Sequence, residues 1–228
     1  MRTAFWCLIT ALAPAAVLAS SLALSPGPPG SIQQSVTAYL SGEGMSSRWH
    51  VVTSRAVVGK QNGKDPAYQW YVSVYAPSAT GAKLAFQSPG MSGQDLLTKV
   101  EKANGAPLYF PVQVATIVGS GEFEKSGVQD AVIATHEMAA DCGNAGVTVL
   151  GYDMATHKIV PRVIVNNGCD LKATIVKSGA LQAIRLSGPY YNKTAAMCCP
   201  TKPNATALLS YRNGKWSVSP KYFQITKP

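Results

Sequence analysis

Short runs of alternating hydrophobic and polar residues dominate the chain and predict β-strands. Residues 49–59 and 68–76 are rich in β-branched and aromatic side chains, which strands favour. Asn62 and Gly63 lie between these two runs, and an Asn-Gly pair favours the tight turn of a hairpin. The pattern therefore predicts a β-hairpin with its bend near Asn62.

The second half of the chain carries the same pattern almost without interruption. Turn residues separate its predicted strands, which cover residues 112–118, 130–134, 146–152, 159–165, 171–176, 180–186, 207–211 and 215–218. Asn213 and Gly214 stand between the last two runs and predict the clearest hairpin of the chain. Strands of this length and spacing are typical of an antiparallel meander or a sandwich.

Two segments of the first half show helical spacing instead. The first begins at Ser31, a suitable N-cap residue. Its apolar positions follow a helical period: Ile32, Val36, Tyr39 and Leu40. The second segment covers residues 92–103, where Leu96, Leu97 and Val100 line one face. We therefore expect an α+β fold, mainly an antiparallel β-sheet, with one or two short helices in the N-terminal half and disulfides that staple it.

The amino-terminal residues predict export. A positively charged start precedes an apolar run over residues 4–18 and small residues near 17–19, the layout of a secretory signal peptide cleaved near Ala19. An uncleaved membrane anchor is the alternative, but Pro14 and Ser20 cut the run below the roughly 20 apolar residues that a span needs. We expect a periplasmic or secreted protein with no transmembrane segment in the mature chain.

Changes in composition suggest four segments along the chain. Residues 1–19 are the signal peptide, and residues 20–30 are a spacer whose Pro and Gly residues resist helix and strand. Residues 31–105 are expected to form a subdomain with a helix and a β-hairpin. Residues 106–228 are expected to form a β-rich subdomain that contains the Cys-Cys-Pro sequence.

Four cysteines follow the signal peptide: Cys142, Cys169, Cys198 and Cys199. An even number in an oxidising compartment favours two disulfides. A bond between the adjacent Cys198 and Cys199 is sterically awkward, because the Cα atoms of a disulfide lie about 5.5 Å apart. We therefore expect Cys142 and Cys169 each to pair with one of the other two. A zinc site is disfavoured, because the regular Cys and His spacing that it needs is missing.

Residues 121–134, with the sequence GEFEKSGVQDAVIA, form an acidic loop with a central glycine and a closing aspartate. This segment resembles a degenerate FG-GAP or VCBS element of extracellular β-propellers, in which the loop often holds calcium. The resemblance implies a calcium ligand set: Glu122, Glu124, Ser126 and Asp130. Glutamates are longer than the usual aspartates, so we interpret the segment as a turn before a strand, with calcium as the alternative and no other cofactor.

The sequence Cys198-Cys199-Pro200 follows a tyrosine-containing loop and precedes the final hairpin. Together with Cys142-Gly143 and the strands over residues 147–165, this arrangement resembles bacterial exported proteins of the LppP/LprE lipoprotein type. The resemblance covers residues 108–223. The chain lacks the lipidation cysteine of the lipoprotein members. The resemblance implies a cell-envelope location and no settled activity.

Charge is distributed unevenly along the chain. Residues 171–228 contain nine Lys or Arg and no Asp or Glu, whereas residues 20–170 carry a net charge of −1. Cations interleaved with aromatic rings suit an anionic polymer or a membrane surface. We therefore expect an anion-binding surface, with these residues: Lys202, Arg212, Lys215, Trp216 and Lys221. The alternative is that the cations lie on solvated strand faces and pair with acidic residues elsewhere.

Few residues are equipped for catalysis. The chain has three histidines and contains neither G-x-S-x-G nor S-x-x-K. His136 with Glu137 is the best local candidate, but the second histidine of a zinc-protease motif is missing. We predict a non-enzymatic exported cell-envelope protein, a binding or assembly module. Its expected partner is an envelope polymer, a lipid or a protein, and not a nucleic acid. The alternative is a periplasmic or secreted hydrolase using His136 and Glu137 or paired carboxylates.

Overall fold

A computed structural model describes residues 23–40, 48–61, 65–93, 100–101, 107–108, 115–136, 145–167, 170–192 and 200–226. These residues form β-strands joined by turns and loops. In chain order the strands are β1 (Leu24–Ser25), β2 (Ser31–Ala38), β3 (Trp49–Gln61), β4 (Asp65–Ser78), β5 (Gly81–Gln87), β6 (Met91–Gly93), β7 (Val100–Glu101), β8 (Pro107–Leu108), β9 (Ala115–Gly121), β10 (Asp130–His136), β11 (Ala145–Asp153), β12 (Lys158–Asn167), β13 (Lys172–Ser178), β14 (Leu181–Tyr190), β15 (Lys202–Arg212), β16 (Lys215–Ser219) and β17 (Gln224–Thr226). In this part of the chain no helix is long and apolar enough to cross a membrane.

The strands form three sheets and one short two-stranded pair, β7 with β8. The first sheet has six strands in the order β1-β5-β4-β3-β2, with β6 also paired to β4. The second has five strands in the order β17-β12-β11-β10-β9, and the third has four in the order β13-β14-β15-β16. Strand β1 pairs with β5 in parallel, and the other pairs are antiparallel. The prediction of a mainly antiparallel β fold is confirmed.

The five-stranded sheet is the middle layer, because hydrophobic side chains cover both of its faces. On one face Ile133 and Leu150 belong to a buried cluster with Val51 and Val74 of the six-stranded sheet. On the other face Val132 belongs to a second cluster, shared with the four-stranded sheet. That second cluster includes Val147, Val165, Ile184, Leu186 and Leu209. A strand buried on both faces has no need of polar alternation, which explains the continuous apolar run at residues 131–134.

The helix predicted from Ser31 is wrong. These residues form β2, whose Val36 pairs with Val51 of β3. Burial along β2 alternates, with Val36 and Ala38 less exposed than their neighbours Ser35 and Thr37. The Gln34 side chain points to the middle sheet, where its Oε1 accepts a hydrogen bond of 2.7 Å from the Ile117 backbone N–H. Because the inward position 34 carries a polar residue, the alternation of apolar and polar residues that marks a strand is not visible in the sequence. The helical spacing of residues 32, 36, 39 and 40 therefore led to the wrong prediction.

The second predicted helix, residues 92–103, is contradicted where the structure describes it. Ser92 and Gly93 belong to β6, which pairs with β4, and Val100 and Glu101 form β7. The remaining residues of that segment lie outside the described part of the chain. The first strand lies within the segment that the sequence predicts to be a spacer, because Leu24 and Ser25 pair with Ala82 and Lys83 of β5. The α component of the predicted α+β fold is therefore absent from the described residues.

The predicted hairpins and the strands of the second half are confirmed. Strands β3 and β4 pair in antiparallel register from His50 opposite Tyr75 onward, although Asn62 and Gly63 lie outside the described residues. At the last hairpin Asn213 and Gly214 have φ values of 51° and 76°, as a type I′ turn requires. The subdomain boundary predicted at residue 105 also lies outside the described residues, and it stays a prediction.

Candidate functional site

A small cavity lies at one end of the middle sheet, between the β9–β10 loop and the β11–β12 turn. Its volume is about 70 Å³. The lining residues come from that loop, from the start of β10, from the end of β11, from the turn and from β12: Glu124, Ser126, Val128, Asp130, Tyr152, Met154 and Arg162. Three of the four residues that the sequence implied as calcium ligands therefore meet in one place.

The β9–β10 loop is held by hydrogen bonds within itself and to the four-stranded sheet. The Gly127 backbone N–H donates to Glu122 Oε1 over 2.8 Å, and the Ser126 N–H donates to the Glu124 carbonyl over 2.7 Å. The Glu122 N–H donates to Gln182 Oε1 over 2.7 Å, while the Gln182 N–H donates to the Glu122 carbonyl over 3.0 Å. Glu122 therefore shapes the loop, and its carboxylate does not line the cavity.

A β-bulge in strand β12 carries Arg162 into the cavity. Val149 pairs with Val163, and the next residue, Leu150, pairs with Pro161, so Arg162 is the extra residue between the two pairs. Bulges turn a side chain out of the regular alternation of the strand. The Arg162 guanidinium donates a hydrogen bond to Glu124 Oε1 and forms an ion pair with it, and both side chains are 24% exposed.

Asp130 is the most buried charged residue of the site. It opens strand β10 and is only 5% exposed. The space for its carboxyl group exists because residue 151 has no side chain: a Cβ at Gly151 would collide with Asp130 Oδ1. Burial raises the pKa of Asp130 to about 7, with a further rise from the Glu124 charge and an opposing effect from Arg162. The carboxyl group thus holds its proton far more tightly than an exposed aspartate does.

Tyr152 forms a fixed aromatic wall beside these polar groups. Its ring centroid lies 5.7 Å from that of Trp49 in the six-stranded sheet. Its hydroxyl lies 3.1 Å from His157 Nδ1 in the turn, within hydrogen-bond distance. In the same turn the Asp153 carboxylate accepts hydrogen bonds from the Ala155 N–H and the Thr156 hydroxyl, which lowers the Asp153 pKa. Both ends of the Tyr152 side chain are therefore held.

Three of the four implied calcium ligands have a partner within the protein. Glu124 is neutralised by Arg162, and the Ser126 hydroxyl accepts a hydrogen bond from the Val128 N–H over 3.3 Å. Glu122 is engaged by the Gly127 N–H. Within the described residues, no group of three or more His, Cys, Asp or Glu side chains is placed to hold a metal ion. A guanidinium within the cavity also repels a cation.

A second feature of interest is the outer face of the four-stranded sheet, which lies away from the middle layer. On this face Arg185 stands between Thr174 of β13 and Leu208 of β15. Arg212 and Lys215 oppose each other beside the Asn213-Gly214 turn. All three cations are exposed, and within the described residues none of them forms an ion pair. Small neutral side chains such as Thr206 and Ser219 fill the positions around them.

The structure divides the anion-binding residues that the sequence predicted. Arg212 and Lys215 lie together on the outer face. Trp216 packs inward, with its ring centroid 5.5 Å from Phe123 and 5.6 Å from Tyr211. Lys202 begins β15, ten residues from Arg212, or roughly 33 Å along the strand.

The opposite end of β15 forms a separate aromatic and basic group. Lys202 Nζ lies 4.8 Å from the centre of the Tyr222 ring, next to the exposed Lys221. Tyr190 packs against the same tyrosine, with ring centroids 5.0 Å apart. Lys202 and Lys221 therefore form a second basic group rather than an extension of the first.

The remaining predicted site residues lie at the edge of the described part of the chain or outside it. Cys142, Cys169, Cys198 and Cys199 are outside the described residues, so the disulfide pairing stays a prediction. His136 ends β10 opposite Ala145, and Glu137 is outside the described part. The proposed pairing of His136 with Glu137 in catalysis is therefore also untested.

The comparisons with known proteins add no identification: no protein-family model, curated protein or solved structure matches the chain. The likeness to LppP/LprE lipoproteins and to an FG-GAP or VCBS element stays a prediction. Sequence reasoning missed Arg162, Gly151 and Tyr152 as parts of the cavity. One signal was present, because Arg162 is the lone charge within the apolar run of residues 159–165.

Proposed function

We propose that this protein is a non-enzymatic binding module of the cell envelope that holds an anionic polysaccharide on the outer face of its four-stranded sheet. One observation carries the proposal: Arg185, Arg212 and Lys215 are exposed on that face and form no ion pair within the described residues. Export of the protein is part of the proposal, and it is supported by the layout of residues 1–19.

The spacing of these cations suits an extended polymer. Leu208 opposes Arg185, and Arg212 lies four residues further along β15, so the two arginines are separated by about 13 Å. Lys172 lies on the same face, in the row of Ser187, but Asp170 already pairs with it over 3.8 Å. An extended polymer with negative charges repeated along its length matches such spacing better than one compact anion does.

An anionic polysaccharide fits this face better than a lipid bilayer does. Proteins that bind bilayers commonly bury exposed aromatic or aliphatic side chains beside their cations. Here Tyr211 and Trp216 pack against the hydrophobic core instead of facing outward. Leu208, at 37% exposure, is the large apolar residue available on the described part of this face.

The experiment measures retention of the protein on immobilised polygalacturonate and dextran sulfate, with neutral dextran as the reference. We expect retention on the anionic resins that weakens with salt, since screening shortens the reach of exposed charges. Replacing Arg185, Arg212 and Lys215 by Ala should weaken binding about tenfold or more, that is by at least ~1.4 kcal/mol.

The matched control removes three exposed cations elsewhere, through Arg48→Ala, Lys60→Ala and Lys83→Ala. It has the same net charge as the test variant and should keep wild-type retention. If both triple variants lost retention equally, the net charge of the protein would explain the binding and the basic face would not. Binding to phosphatidylglycerol vesicles with no retention on either anionic resin would overturn the choice of a polysaccharide.

A hydrolase of the paired-carboxylate type is the second candidate, favoured by the meeting of Glu124 and Asp130 in one cavity. A buried, protonated carboxyl beside an ionised one is the arrangement that glycoside hydrolysis uses. The test is release of nitrophenol from a panel of nitrophenyl glycosides. Activity that Asp130→Asn abolishes without unfolding the protein would support this candidate, and absence of turnover across the panel would remove it.

A further inference from the structure

We propose that the cavity lined by Glu124, Asp130, Tyr152 and Arg162 is a binding site for a neutral, hydroxyl-rich ligand, namely one unit of a saccharide. This site is distinct from the outer face of the four-stranded sheet, and it does not depend on the function proposed for that face. Four features of the cavity support the inference: an unengaged buried carboxyl, a balanced charge, an aromatic wall and a suitable size.

The buried carboxyl is the first feature. Asp130 is 95% removed from solvent and lines the cavity, yet no described residue donates a hydrogen bond to its side chain. Buried polar groups in proteins are nearly always hydrogen-bonded, because an unmet one costs about 1–3 kcal/mol. A group of this kind facing a cavity is suited to a ligand that supplies the missing partner.

The charge balance of the cavity selects the class of ligand. Glu124 and Arg162 form an ion pair and neutralise each other, and the Asp130 carboxyl group lines the cavity beside them. A cation would meet the Arg162 guanidinium, while an anion would meet the Glu124 carboxylate. A neutral ligand meets neither penalty. Its hydroxyl groups can donate to the carboxyl groups of Glu124 and Asp130 and accept from Arg162.

The walls and the size favour a sugar over other neutral polar molecules. Tyr152 is held by Trp49 and His157, and Val128 and Met154 add apolar surface, with Met154 51% exposed at the rim. Sugar rings combine an apolar face with hydroxyl groups at the edge, so they match an aromatic wall beside polar groups. A cavity of about 70 Å³ has room for roughly five water molecules, which corresponds to the edge of one ring.

The site is built into the fold and not assembled from flexible side chains. The β12 bulge sets the direction of Arg162, and the missing Cβ at residue 151 makes room for Asp130. The loop that carries Glu124 is tied to Gln182 of the four-stranded sheet, and its Gln129 N–H donates to the carbonyl of Tyr39, just after β2 of the six-stranded sheet, over 2.8 Å. Such support from two neighbouring layers lowers the entropic cost of ordering the site when a ligand binds.

The experiment is a titration of the full chain, followed by NMR, with glucose, galactose, mannose and N-acetylglucosamine. We expect saturable shifts for at least one sugar at pH 6, and about tenfold weaker binding for Asp130→Ala and for Tyr152→Ala. Tyr152→Phe keeps the ring and should keep the affinity. Asp130→Asn keeps a hydrogen-bonding side chain of the same size, so it should bind the sugar more tightly than Asp130→Ala does.

The proposal fails if no sugar binds up to its solubility limit. It also fails if calcium ions shift the same resonances in place of sugars, or if sugar binding persists unchanged in Asp130→Ala.

The basic-face variant separates this proposal from the proposed function. Replacing Arg185, Arg212 and Lys215 by Ala should leave sugar affinity within about twofold of the wild type, because these residues do not line the cavity. Loss of sugar binding in that variant would overturn the assignment to the cavity. Loss of polygalacturonate retention with intact sugar binding is the result expected when both proposals hold.

Discussion

The carboxyl group of Asp130 occupies the space where residue 151 would carry a Cβ atom, so Gly151 and Asp130 depend on each other. Strand register places Ala131 opposite Leu150, which brings residues 130 and 151 side by side in neighbouring strands. The glycine is therefore required by close approach of the aspartate and not by a left-handed backbone.

Gly151→Ala should destabilise the protein by about 1–3 kcal/mol, because the added methyl group forces the Asp130 carboxyl aside. Urea denaturation provides the measurement. Gly59→Ala is the matched control, since a Cβ there meets nothing within 4 Å. Adding Asp130→Ala to Gly151→Ala should recover part of the loss, because the Asp130 carboxyl is removed while Arg162 Cγ still lies 2.9 Å from the added Cβ. A fully additive double variant would contradict this steric account.

Asp130 should make the protein less stable as the pH rises. Its pKa is about 7 when folded and near 3.8 when unfolded, so between these values the folded state binds more protons. The contribution of Asp130 to the free energy of unfolding is then highest below pH 3.8 and falls until the pH passes about 7. The full difference is on the order of 4 kcal/mol.

The measurement is urea denaturation of the wild type and Asp130→Asn at pH 5 and pH 8. The variant lacks the titrating group, so its stability relative to the wild type should increase by a few kcal/mol between these pH values. Other carboxylates titrate in both proteins and cancel in the comparison. Parallel pH profiles for the two proteins would refute the buried, proton-retaining aspartate.

The neighbouring residues Leu208 and Leu209 test which face of strand β15 is buried. Leu209 is fully buried between the four-stranded and five-stranded sheets, whereas Leu208 is 37% exposed on the outer face. Leu209→Ala should cost about 3 kcal/mol through lost burial and a cavity, and Leu208→Ala less than about 1 kcal/mol. Thermal or urea unfolding reports both values. If both variants lost the same free energy of unfolding, Leu208 would be buried too, and the outer face of the four-stranded sheet would be covered.

Trp216 should be a packing residue and not a ligand residue. Its ring contacts Phe123 and Tyr211 on the inner face of the hairpin, so Trp216→Leu should lower the free energy of unfolding by about 2 kcal/mol. Retention on polygalacturonate under native conditions should stay unchanged. A stable Trp216→Leu variant that loses retention would instead place the indole ring in contact with the polymer.

Local sequence signals were sufficient for most strands and for the final hairpin. A type I′ turn depends on two adjacent residues that tolerate positive φ. The pair Asn213-Gly214 therefore predicts the turn from the local sequence alone. The basic character of residues 171–228 is likewise a property of composition. These features are short in range, so the sequence alone determined them.

Long-range contacts decided the rest. Residues 31–38 became a strand because the edge of β3 offers a hydrogen-bonding partner, which outweighs a weak helical period. Glu124, Asp130 and Arg162 lie together although 38 residues separate Glu124 from Arg162 in the sequence. The bulge in β12 directs Arg162 into the cavity, and Gly151 in β11 leaves room for Asp130. The inward direction of Trp216 likewise follows from the packing of one sheet on another. Such relationships depend on the register and stacking of distant strands, which only the tertiary structure establishes.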